Sequence, residues 1–68
     1  NRRELYEGLR RISARDRAYL LYRFGFEDDL EHPLIGTALH FHLSESRAKS
    51  TEALALDNLW LELPWWFI

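Results

Sequence analysis

No cysteine occurs among the 68 residues, so neither a disulfide nor a thiolate-bound metal can staple this chain. Glycine and proline are scarce, three and two residues respectively. Gly8, Gly25 and Gly36 lie too far apart to build a glycine-rich phosphate loop. Long hydrophobic runs are missing: the longest, residues 63–68, is far too short to cross a bilayer. No signal-peptide pattern is visible, and the expectation is a cytoplasmic protein with no membrane partner. Ser44, Ser46 and Ser50 have no activating base at a recognisable spacing, so neither an enzyme nor a cofactor is expected. Strand-period alternation, internal repeats and low-complexity segments are absent as well.

What is present is bulk. Apolar residues make up 47% of the chain and aromatics 15%. That suits one small domain over residues 1–68, whose core is marginal because a chain this short buries only about 60% of its unfolded surface. The sequence opens on Asn1 rather than Met, as a piece of a longer protein would. The formal net charge is −2, unevenly spread. Residues 1–23 hold seven arginines against Glu4, Glu7 and Asp16, a net +4; the remainder holds Arg47 and Lys49 against eight acids, a net −6. Such polarity points to a charged partner or to self-association.

The periodicity predicts four helices and an all-α domain. The first covers residues 1–12, with Leu5, Leu9 and Ile12 on one stripe and Gly8 weakening it by about 1 kcal/mol. Ser13 and Asp16 form a capping-box pair. They open a second helix, residues 14 to about 24, which offers Leu20, Leu21 and Phe24 to a core and stops at Gly25. Glu27, Asp28, Asp29 and Glu31 belong to a solvated loop without the ligand spacing of a calcium hand. Pro33 suits the first turn of a third helix carrying Leu34, Ala38 and Phe41. At His42 the chain needs positive φ, with Leu43 as an apolar plug in the turn. Ser44 caps a fourth helix whose stripe is Ala48, Thr51, Ala55, Leu56, Leu59 and Leu63, and Pro64 ends it. Residues 34–59 thus read as a helix-turn-helix unit, closed by an aromatic extension. His32, His40 and His42 are not expected to hold a metal, since the last two sit at i, i+2.

The order of these residues resembles region 4 of housekeeping-class bacterial sigma factors. That family commonly reads L-x-x-R-E-R-x-V-L-x-L-R-F-G-L-D-D. After a turn it continues R-E-R-V-R-Q-I-E-A-K-A-L-R-K-L. Arg15-Asp16-Arg17 resembles the first R-E-R. The run Tyr22-Arg23-Phe24-Gly25-Phe26-Glu27-Asp28-Asp29 resembles L-R-F-G with its acidic pair, one residue longer. Arg47, Glu52, Ala53, Ala55, Leu56 and Leu59 keep step in the last helix. The resemblance spans residues 13–59. It implies a transcription module that docks on RNA polymerase and reads the promoter −35 element. The residues it would place in the major groove are Ser44, Glu45, Ser46, Arg47, Lys49 and Ser50.

The departures fall on that same surface. Where the family usually has Arg, Glu and Gln, this chain has Glu45, Ser46 and Ser50; Asp57-Asn58 replaces Arg-Lys. Residues 44–59 therefore carry Arg47 and Lys49 against three acids. DNA affinity comes mainly from phosphate neutralisation, and base reading needs Arg, Lys, Asn or Gln. Promoter DNA contact is expected to be weak alone, with an attached polymerase or another transcription protein as the main partner. The aromatic end has two main readings, a membrane-interface anchor being disfavoured by the neighbouring acids Asp57 and Glu62. Trp60, Trp65, Trp66, Phe67 and Ile68 either fold back onto the core or form a protein-docking or homodimer surface. The arginines read as solvated helix faces, or as contacts to phosphates or an acidic protein.

Overall fold

Local chemistry sets every boundary in the chain. The structure, a computed structural model, describes residues 2–67. Four helices follow in order: α1 (Arg2–Arg11), α2 (Ala14–Phe24), α3 (Leu34–His40) and α4 (Glu45–Leu61). Among the described residues no strand occurs, so the all-α, four-helix class holds.

α2 begins at Ser13, whose Oγ accepts from the Asp16 amide at 3.2 Å. The return half of the capping box is not made. Asp16 is 2% exposed, and its Oδ2 accepts instead from Asn58 Nδ2 of α4 at 3.0 Å. The helix ends at Gly25, with φ 67°. A Cβ there would lie 2.6 Å from the Leu30 carbonyl carbon, so both conformation and space demand glycine. The acidic loop folds back on α2: Arg23 accepts from the His32 amide at 3.0 Å through its carbonyl. Its Nη1 donates to the His32 carbonyl at 2.8 Å. Glu27, Asp28, Asp29 and Glu31 stay exposed.

Pro33 is the N-cap of α3 rather than its first residue. α3 closes in a six-to-one turn: Leu43 N donates to Ala38 O at 2.8 Å and His42 N to Leu39 O at 3.2 Å. His42 takes φ 58°, as the sequence requires. Ser44 then caps α4, its Oγ accepting from Arg47 N at 3.1 Å. α4 ends before Pro64.

The core is built on α4. Ala48 and Ala55 are fully buried and Leu59 nearly so, and the small alanines let α2 and α3 lie close. Leu9, Ile12, Tyr19, Leu20 and Ala38 complete it. α1 crosses α4 at Gly8, where a Cβ would come 3.0 Å from Leu63 Cδ2 and 3.1 Å from Leu59 Cδ1. The residue that weakens α1 as a helix is the one that lets it dock. Three expected core positions differ: Leu21 and Phe24 are only half-buried, and Leu56 is 38% exposed. Leu56 lies roughly a quarter turn from Ala48, Ala55 and Leu59, which carries it to the edge of the buried stripe.

Candidate functional site

The helix-turn-helix unit presents α4 through polar braces. The Tyr19 hydroxyl lies 3.0 Å from Glu52 Oε1 and 3.2 Å from the Ala48 carbonyl, with one proton to donate between them. Arg23 Nε donates to the same Glu52 oxygen at 2.9 Å. Arg23 and Glu52, drawn from the two sequence runs that carry the resemblance, therefore meet in space and fix α2 against α4. Burial, then the bond to Glu52 and its negative charge, push the Tyr19 phenol up to about 12.

With α4 held this way, Ser44, Glu45, Ser46, Arg47, Lys49 and Ser50 all face outward, while Ala48 is fully buried. The structure leaves all six predicted residues exposed along the first two turns of α4. This stretch is weak in cations: Lys49 Nζ sits 3.8 Å from Glu45 Oε2, one helical turn away. Arg47 is then the cation of this face that makes no ion pair among the described residues. The histidines are placed differently. Tyr22 is stacked between His32 and His40, each with ring centroids 3.9 Å from its own. An aromatic ring thus separates those two imidazoles, and His42 lies out in the turn.

The aromatic end divides. Phe67 is half-buried, whereas Trp65 is 91% and Trp66 59% exposed, edge to face with each other. Ile68 lies outside the described residues. Trp60, 55% exposed, joins Leu56, Leu59 and Leu63 on one wall of an open groove of about 460 Å³. Leu5 of α1, Phe26 of the loop and Phe67 form the rest, with Asp57 at the rim. Leu5, Phe26 and Phe67 also line an adjoining cavity of about 350 Å³ with Arg2 and Asp29. Phe67 thus folds back, while Trp65 and Trp66 stay exposed.

No family model, curated protein or solved structure matches the chain. The groove must be read from its own chemistry.

Sequence reasoning offered Trp60 and Phe67 as interaction residues, but put Leu5 and Leu56 on buried stripes and left Phe26 in the loop. A signal existed. Leu56, Trp60 and Leu63 recur at i, i+4, i+7, a spacing that reads equally as core or as the wall of an open groove. Only the crossing of α1 at Gly8 decides which.

Proposed function

We propose that this domain is a helix-turn-helix module of the transcription apparatus that works mainly by protein contact, docking on RNA polymerase or another transcription protein. The observation that carries the reading is the pairing of two surfaces on one scaffold. The helix positioned to meet DNA is short of free cations, and an apolar groove opens on the far half of the same helix. Duplex DNA rewards positive charge, whereas an apolar groove walled by Trp, Phe and Leu rewards a protein helix. The residue register from Arg15 to Leu59 supports the transcriptional setting, and the contact between Arg23 and Glu52 is consistent with it. DNA contact in this reading is weak, carried by Arg47 and Lys49, and matters only when a bound polymerase holds the domain near the promoter.

The test is copurification. The tagged chain retains RNA polymerase from a bacterial lysate, and Trp60→Ala with Leu56→Ala abolishes retention while leaving the helical circular-dichroism spectrum intact. A folded parent that retains no polymerase subunit counts against the reading. A second reading, a dimerisation domain that has reused this architecture, is favoured by the exposure of Trp65 and Trp66. It requires a concentration-dependent mass in ultracentrifugation that falls to monomer with Trp65→Ala and Trp66→Ala.

A further inference from the structure

We infer that the groove between α1, the acidic loop and α4 selects a positively charged partner: a short amphipathic helix with an apolar stripe flanked by Lys or Arg. This rests on reading the groove as the docking site and adds the chemistry of what docks. The floor supplies no polar recognition, being Leu5, Phe26, Leu56, Leu59, Trp60, Leu63 and Phe67. Selectivity must come from the charged residues beside the groove. Asp57 lines it on the α4 side. On the opposite wall Phe26 leads directly into Glu27, Asp28 and Asp29, all exposed. Arg2, the cation of the adjoining cavity, is 3.7 Å from Asp29, so these two offset each other and leave Asp57, Glu27 and Asp28 as the charges that bear on a partner.

Charge complementarity therefore favours cations on both flanks of an incoming helix, while acids there meet like charge. The same argument disfavours a second copy seated groove to groove. That pairing brings Asp57 and the loop acids of one chain against their own equivalents.

The experiment titrates the full chain, through its tryptophan fluorescence, with two synthetic tryptophan-free helical peptides. Both carry the same leucine stripe at i, i+3, i+4 and i+7; one has Lys flanks and the other Glu flanks. The Lys peptide binds about tenfold or more tighter at low salt, and the ratio shrinks as salt is raised. Asp57→Asn with Glu27→Gln narrows the ratio from both sides, weakening the Lys peptide and relieving the repulsion of the Glu peptide, at two exposed positions outside the core. Trp60→Ala weakens both peptides. Equal affinity for the two overturns the charge preference and leaves the groove as a docking site. Failure of a folded chain to bind either overturns both. A dimer in ultracentrifugation that Trp60→Ala dissolves overturns the inference in favour of a second copy.

Discussion

The fold makes the Tyr19 phenol harder to deprotonate. Its pKa is raised from the usual 10 to about 12, so the folded chain binds that proton more tightly than the unfolded chain does. The stabilisation is fully present below pH 10 and is lost as pH climbs through 12. The two-unit shift corresponds to roughly 2–3 kcal/mol. Urea unfolding at pH 8 and pH 11.5 should show that loss in the parent, and Tyr19→Phe should flatten it. The same substitution costs roughly 0.5–1.5 kcal/mol at pH 8 by removing one buried bond. Asp16 raises the opposite issue, a buried carboxylate with too few partners. Oδ2 has Asn58, Oδ1 has no hydrogen bond, and the nearest cation, Arg15 Nε, is 3.8 Å away. Asn58→Ala leaves the carboxylate without its one donor and should cost about 1–3 kcal/mol, read as a drop in the thermal midpoint. Neither residue announced its role in the sequence. Asp16 sits where a capping acid belongs, and Tyr19 is one aromatic among several. Their partners lie 29 to 42 residues away, beyond the reach of any local pattern.

At the level of the helices the sequence was most informative, because caps are local. Ser13, Gly25 and Ser44 fall where their chemistry places them, and the ends of α2 and α4 follow. Pro33 was displaced by one residue, since an N-cap needs the same extended backbone that proline favours. The turn before α4 carries a testable strain. His42 holds φ 58° without the freedom of glycine, and its side chain is exposed. His42→Gly should therefore be neutral to stabilising by up to about 1 kcal/mol, and His42→Val strongly destabilising. If both unfold at the parent's denaturant midpoint, the left-handed turn is not what joins α3 to α4. Gly8 argues the reverse. Gly8→Ala improves helix propensity by about 1 kcal/mol but drives a methyl against Leu59 and Leu63. Because both neighbours are flexible side-chain ends, the two effects should nearly cancel. A loss of several kcal/mol in chemical denaturation would mean that α1 cannot shift on α4.

For the whole molecule, the division of charge and apolar surface limits what the domain can touch. Four packed helices follow from periodicity and capping, and so did the outward register of Lys49 against the buried Ala48 and Leu59. The groove did not, because it exists only where three separated segments converge on Leu56, Trp60 and Leu63. The shortage of free cations on the exposed first half of α4 then becomes a property that substitution can reverse. Glu45→Arg releases Lys49 from its intrahelical pair and adds a cation. Asp57→Arg adds another on an exposed position of the same helix, taking residues 44–59 from a net −1 to +3. Neither side chain is in the core, so the fold should survive. Fluorescence anisotropy with a short duplex should show weak binding by the parent and clearly tighter binding by the double variant. That gain should fall steeply between about 50 and 200 mM salt, as released counterions require. If the variant gains no affinity, missing cations are not what keeps α4 off the duplex. The shape of the scaffold would then have to exclude DNA, and protein docking would be its remaining use.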